Sequence, residues 1–315
     1  MAAGVRAGLL LGDAVLPCPT AVLIPRRTLL RAGAGLLAAG VALPAYGFGV
    51  EPGWRLSVTR YALSPPGWPA GLRLRIAVLA DLHVGEPYMG LARIGRIVDT
   101  ANDLGPDLAV VLGDYAASHR FITREVAPEA AAGALARLAA PLGRWAILGN
   151  HDYWHGAPHW RQAFAGAGIP LLENRAVKLG AGEAAFWLAG LASMLAIRLG
   201  RRRFHGLHNL PAALRRTTDG APVILLAHEP DIFPQVPAHV SLTLAGHTHG
   251  GQVRILGHSP VVPSKFGNRF AYGHVVEGGR NLVVSGGLGV STLPVRLGVP
   301  PEVVLVELGA DAATA

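Results

Sequence analysis

The stretch LRLRIAVLA (72–80) alternates apolar and polar positions and then turns continuously apolar, as a strand entering a buried sheet does. Leu91–Leu104 repeats its apolar residues at helical spacing, and Asp107–Leu112 reads as a second apolar strand. An alanine-rich helix is predicted over Glu125–Ala139, followed by a third strand over Arg144–Leu148. Such a β-α-β-α-β series predicts a largely parallel sheet. Beyond Gly180 the apolar runs shorten and are separated by glycine and proline turns: Ala184–Leu188, Val223–Ala227, Leu242–Ala245, Gln252–Leu256, Leu282–Ser285 and Val303–Leu308. This spacing predicts a second, more antiparallel sheet. The expected fold class is α/β, with two facing mixed β-sheets flanked by helices and no internal repeat.

Residues 1–50 read as an address rather than as part of that fold. An arginine pair, Arg26-Arg27, and then Arg31 precede a weakly apolar run, and residues 32–50 carry no charge. At roughly 19 residues that run is just long enough to span a bilayer as a helix. The order of residues resembles a twin-arginine export signal, whose partner is the twin-arginine export machinery; a plain membrane anchor is the alternative. Either reading puts the domain over residues 51–315, exported to the periplasm or anchored to the inner membrane.

Composition alters this picture little. With 51% hydrophobic and 15% charged residues, 41 glycines and 24 prolines, the 315-residue chain is a loop-rich globular protein and not a disordered one. Of the net charge of +8, the four arginines and one acidic residue before Glu51 account for +3, leaving +5 for the domain. That charge suits an anionic substrate or a membrane surface, or is ordinary surface charge. No aromatic-interleaved basic stripe points to nucleic acid. The only cysteine, Cys18, precedes the domain, so the domain forms no internal disulfide.

The chemistry lies where the apolar strands end. After IAVLA come Asp81 and His83; after LAVVL, Gly113-Asp114; after WAIL, Gly149-Asn150-His151-Asp152; after VILLA, His228; after SLTLA, Gly246-His247-Thr248-His249. Open α/β sheets build their sites at the carboxyl ends of strands, which places these groups to converge. Each has a plain alternative. Asp114 and Asn150 fit turns or helix caps, His228 a satisfied core histidine, Asp81 with His83 a local hydrogen-bonded pair, and His247 with His249 a solvated turn. Taken together, carboxylate, amide oxygen and imidazole suit manganese, iron or zinc better than calcium, which prefers oxygen alone.

The ordered blocks DLH, GD, GNHD, H and GHTH across residues 73–249 resemble the calcineurin-like metallophosphoesterase superfamily. The strings PLGRWAILGNHDYW, LLAHEPD, LAGHTHGGQ and SGGLGVSTLPVRLGVPPE are similar to its branch of exported or membrane-associated bacterial phosphodiesterases, a likeness covering nearly all of residues 51–309. The resemblance implies an αββα sandwich and two divalent metal ions (Mn, Fe or Zn) bridged by Asp114. One ion would be held by Asp81, His83 and His249, the other by Asn150, His228 and His247. A hydroxide held between them would attack the phosphorus of a phosphodiester. His151 would stabilise or protonate the leaving oxygen, and Asp152 would orient that ring or a ligand histidine. Gly246 and Gly250 would let the backbone turn tightly around His247 and His249.

Departures from the pattern narrow the substrate. The protein phosphatase branch carries an arginine shortly after GD and reads GNHE; here Gly113-Asp114 continues as YAAS and the block ends in Asp152, which disfavours protein phosphatase activity. The expected activity is hydrolysis of a lipid or cell-envelope phosphodiester outside the inner membrane. A UDP-2,3-diacylglucosamine pyrophosphatase is the enzymatic alternative, and a non-catalytic protein-binding scaffold is the alternative of another class. Arg201, Arg202 and Arg203 form either a solvated basic loop or a grip on an anionic head group or lipid. His155 and His159, flanked by tryptophans, are expected to accompany packing rather than to line the entrance. Arg296 receives no role.

Overall fold

The computed structural model describes residues 25–201 and 203–309, and Cys18 and Arg202 lie outside the described residues. Eleven strands form the two main sheets: β1 (Ser57–Leu63), β2 (Leu74–Leu79), β3 (Leu108–Val111), β4 (Arg144–Ala146), β5 (Arg175–Leu179), β6 (Phe186–Gly190), β7 (Val223–Leu226), β8 (Val240–Ala245), β9 (Gly273–Glu277), β10 (Arg280–Val284) and β11 (Glu302–Leu308). The first sheet has the order β1-β11-β2-β3-β4 and the second β9-β10-β8-β7-β6-β5.

Period-two alternation in β2 shows how the layers arise. Ile76 and Val78 face the second sheet, where they join Leu188, Ile224, Leu226 and Leu244 in one fully buried cluster. Ala77 and Leu79 point the other way, onto α2 (Leu91–Asp103), α3 (Pro128–Leu135) and α5 (Ala157–Gly166), packing with Ile94, Ile97, Leu135 and Phe164. A third cluster, including Leu225, Phe233 and Phe270, covers the outer face of the second sheet. The expected α/β architecture of two facing mixed sheets with helices outside is the one observed.

Three expectations are corrected. Val303–Leu308 does not belong to the second sheet: β11 lies inside the first, parallel to β1 and antiparallel to β2. The second sheet is parallel through its interior, because β6, β7, β8 and β10 all run the same way; only the edge strands β5 and β9 are antiparallel. Its interior connections are crossovers, and only β5–β6 and β9–β10 are joined as hairpins. Finally, Gln252–Leu256 forms no strand. The 3₁₀ turn His249–Gly251 and the left-handed Gln252 (φ 59°) swing the chain away, leaving two isolated bridges, Val253 to Leu297 and Ile255 to His258. Strand β1 and both antiparallel edge strands have no counterpart in the apolar pattern; each is only partly buried, so its signal is weak.

The compact unit that carries the site begins at Pro44, and α1 (Arg26–Ala45) lies almost wholly N-terminal to it. Among the described residues no helix is long and apolar enough to cross a membrane. Within the compact unit Gly47 accepts a hydrogen bond from the Arg296 backbone (2.8 Å), and Glu51 accepts one from Val299 (2.9 Å).

Beneath the first sheet's carboxyl edge, Phe164 packs 4.6 Å from the ring of buried Tyr115, the residue after Asp114. Phe164→Ala is expected to lower the free energy of unfolding by about 3–5 kcal/mol in urea titration. Val276→Ala, at a position 57% exposed, should change it by less than about 0.5 kcal/mol.

Candidate metal centre

Strands β2, β3 and β4 are mutually parallel, as are β7 and β8, so within each sheet the carboxyl ends that carry the polar residues share one edge. The turns leaving them bring every predicted ligand together. Asp81 Oδ1 lies 3.9 Å from His249 Nε2 and 4.0 Å from His228 Nε2. His83 Nε2 lies 3.1 Å from His249 Nε2, and Asn150 Oδ1 lies 3.1 Å from His228 Nε2. Asp114 Oδ2 is 3.6 Å from His83 Nε2 and 3.2 Å from His228 Nε2, between the two groups. Two buried clusters result, Asp81-His83-His249 and Asp114-His228-His247.

These donors fit divalent metals. His83 Nδ1 is 2.8 Å from the Ala116 carbonyl and His228 Nδ1 2.7 Å from that of Leu112. A carbonyl only accepts, so each Nδ1 carries a hydrogen and each Nε2 is the atom turned to the cluster. Burial works against protonation of His228, but Asp114 outweighs it and holds the ring well above the usual imidazole range, so a metal at its Nε2 would displace a proton. The Nδ1 of His247 is buried without a hydrogen-bond partner, a position that costs about 1–3 kcal/mol unless a ligand satisfies it. Burial pushes His83 down to about 4 and also lowers His247 and His249. Neutral imidazole is the form that binds metal. Burial works against ionisation of Asp114, but His228, His151 and His83 outweigh it and hold the carboxyl well below its usual range.

Bringing so many ligands to one point strains the backbone. Asp81, His83, Asp114, His247 and His249 all have positive φ, between 46° and 70°. Non-glycine residues adopt that conformation at a cost of order 1 kcal/mol each, and only when their surroundings enforce it. Neighbouring glycines act by leaving space. A Cβ on Gly149 would lie 2.3 Å from Asp114 Oδ1, and one on Gly246 would lie 2.7 Å from Asp81 Oδ2. The left-handed turns expected at Gly246 and Gly250 are thus taken by His247, His249 and Gly250, while Gly246 permits close approach.

Asp152 does not orient a histidine. Its Oδ2 accepts from the backbone N–H groups of Asp114 (2.9 Å) and Gly149 (2.8 Å), and its Oδ1 from those of Tyr115 (2.7 Å) and Ala116 (2.9 Å). All its short contacts are to backbone, so it ties the Asp114 turn to the start of α4 (Asn150–Trp154). Burial and Asp114 push its carboxyl up to about 7, yet four N–H donors are satisfied only by an ionised carboxylate. His151 lies at the edge of the cluster, its ring 5.1 Å from that of His83, while its backbone N–H donates to Asp114 Oδ1 (2.8 Å). Of the flanking tryptophans, Trp160 is buried in the core and Trp154 lies 4.7 Å from the His151 ring. His155 is exposed, its ring parallel to that of His151 at 5.9 Å.

One residue to which the sequence pattern assigns no role proves central. Arg296 is fully buried. Its guanidinium donates to the carbonyls of Gly286 (2.9 Å), Gly289 (2.6 and 2.8 Å) and Val299 (2.9 Å), and Nη2 lies 3.2 Å from His249 Nδ1. Glu302 accepts from Gly286 N (2.7 Å) and Tyr272 (2.8 Å), closing the same loop from behind. A signal for it exists in the chain: Arg296 is the only charged residue between Arg280 and Glu302.

Two facing α/β sheets whose joined carboxyl edges hold clustered aspartate and histidine ligands define a class, the metal-dependent phosphoesterases. The chain belongs to the calcineurin-like phosphoesterase family, whose model matches residues 74–251. It is similar to the metallophosphoesterase YkuE of Bacillus subtilis, with 28% identity over 290 residues, 90% of this chain and 97% of the relative. A metallophosphoesterase of Aquifex aeolicus is 30% identical over 80% of this chain and 92% of its own length. The phosphodiesterase YaeI of Escherichia coli is 29% identical over 91% of this chain and its entire length. The protein is a metal-dependent phosphoesterase.

Asp152→Asn would turn an amide NH₂ toward two backbone N–H donors. It is expected to reduce stability by about 2–4 kcal/mol in urea unfolding and to weaken metal affinity roughly 10- to 100-fold in titrations followed by calorimetry. Gly149→Ala should abolish metal uptake, because its methyl would occupy the space of the Asp114 carboxylate.

Proposed function

We propose that the protein is a dinuclear phosphodiester hydrolase acting outside the inner membrane on a lipid or cell-envelope phosphodiester. The observation that carries the reading is the position of Asp114 Oδ2, within 3.6 Å of His83 Nε2 and 3.2 Å of His228 Nε2 and so shared by both ligand groups. Asp81, His83 and His249 would hold one ion and Asn150, His228 and His247 the other, with Asp114 common to both. Two divalent ions so held supply an activated water at neutral pH and neutralise charge on the phosphoryl oxygens. The similarity to YaeI, named a phosphodiesterase, supports a diester over a monoester. Export rests on the Arg26-Arg27 motif and the apolar run that follows.

The residues of this chain have separable roles. Asp114 and Asn150 fix the spacing of the two ligand groups, and Asp152 fixes Asp114. Arg296 lies against His249 and, through Gly286 and Gly289, holds the loop behind Asp81. His151 faces the leaving group. Burial pushes its imidazole down to about 3, which supports a hydrogen bond from a neutral ring to the leaving oxygen instead of proton transfer from an imidazolium. A complete set of donors speaks against a non-catalytic scaffold.

Reconstituted with manganese, the protein should hydrolyse a chromogenic diester faster than the matching monoester, and Asp114→Asn should abolish the activity. Monoester preference would refute the diesterase reading. His151→Gln is expected to lower kcat roughly 10²- to 10³-fold, with a greater loss for an alkyl than for a nitrophenyl leaving group. Because the ring is neutral throughout the working range, the shape of the pH–rate profile between about pH 6 and 9 should not change in that variant. An acid limb lost with His151 would instead show that it transfers a proton.

A further inference from the structure

The strands Ile197–Gly200 and Arg203–His205 pair antiparallel into a ribbon that no third strand joins. Every described residue of both strands is exposed. A ribbon buried on neither face has no core to stabilise it in water. Opposed residues of such a pair share a face, so Arg198 and Phe204 lie together. Phe204 stacks on Trp154 at 5.6 Å, and the Arg198 guanidinium sits 3.5 Å from the centre of the same ring. Trp154 adjoins His151, so this stack fixes the ribbon at the mouth of the metal centre. The remaining aliphatic residues, Ile197 and Leu199, are 41% and 56% exposed.

Charge and apolarity coincide here. Between Glu183 and Asp219 the chain carries six arginines and no acidic residue. A solvated loop, or a groove for a soluble polyanion, needs the arginines but not exposed Ile197, Leu199 and Phe204 among them. Both are needed at the interface of an anionic bilayer, where guanidinium groups meet phosphates and aliphatic groups enter the acyl boundary. Exposed apolar residues also occur on the loops that reach His83. Phe121 and Leu293 are 56% and 47% exposed, on loops joined by the Ser118 and Ser291 hydroxyls (3.1 Å), with Ser118 Oγ 3.0 Å from His83 Nδ1.

We propose that the ribbon, together with Phe121 and Leu293, docks the metal centre onto an anionic phospholipid bilayer, so that head-group phosphodiesters reach the ligands without leaving the interface. The chemistry in this proposal rests on the diesterase reading; the binding does not.

The test is co-sedimentation of the full-length protein with phosphatidylcholine vesicles, with and without phosphatidylglycerol. Wild type should prefer the anionic vesicles. Two double variants outside the Trp154 stack, Arg201→Gln/Arg203→Gln and Ile197→Ser/Leu199→Ser, should each weaken that binding, by roughly 30-fold and roughly tenfold respectively. Both should hydrolyse a soluble chromogenic diester like wild type, which shows that they fold. Equal binding by wild type and both variants would overturn the proposal, since the N-terminal segment would then be the binder, as would indifference to phosphatidylglycerol. Vesicle binding that survives loss of the aliphatic pair while dextran sulfate competes with it would also overturn it, in favour of a polyanion surface. Asp114→Asn should bind vesicles like wild type. If wild type hydrolyses no diester yet shows the predicted vesicle pattern, the diesterase reading fails and the docking face stands.

Discussion

The carboxylate of Asp152 joins two segments that the rest of the site is built around. It gathers four backbone N–H groups, three from the turn after β3 and one from the residue that opens α4. Ionised, it satisfies all four at once inside a dry interior where each unpaired donor would cost about 1–3 kcal/mol. Asp114 is thereby held in its left-handed conformation, with Oδ1 on the His151 N–H and Oδ2 free to face His83 and His228. The absence of a side chain at Gly149 is the complementary requirement, since the carboxylate of Asp114 occupies the place of its Cβ.

Arg296 plays the corresponding part behind Asp81 and His249. It is a buried cation surrounded by carbonyl oxygens, with Glu302 reaching the same loop through Gly286 N. Removing a buried charge's partners is far more damaging than trimming surface charge, so this segment has little freedom to move. The loop 286–289 then confines Asp81, whose side chain would meet a Cβ on Gly287 at 2.9 Å. Rigid ligand placement and strained φ angles are two aspects of one arrangement: the strain persists because hydrogen bonds on both sides enforce it. The exposed ribbon beside Trp154 contrasts with this rigidity, since no third strand covers it and only its Arg198–Phe204 face is stacked, on Trp154.

Sequence pattern carries the fold a long way. β2, β3 and α2 are legible because each has a single, fully buried face with clean period two or 3.6. Strand direction in the second sheet is not, since a parallel crossover and a hairpin both present as apolar runs divided by glycine and proline. β11 is legible as a strand but not as a member of the first sheet, because pairing across more than 200 residues leaves no local trace. Among site residues, Asp81, His83, Asp114, Asn150, His228, His247 and His249 can be picked out because each closely follows an apolar strand. Asp152 can be located in the chain, but its function there cannot be read, because a carboxylate bonded to backbone and one bonded to imidazole look alike in sequence.

What the sequence by itself determined, then, is the set of polar groups at strand ends and the apolar periodicities that force those ends to the edges of buried sheets. Hydrophobic burial is local enough in its pattern to be read residue by residue. Only the tertiary structure decided that the carboxylate of Asp152 clamps the backbone, and that Arg296 returns from far along the chain to lie against His249. Those assignments depend on distances between segments brought together by packing, and on hydrogen bonds whose partners are chosen by geometry and not by neighbourhood in the chain.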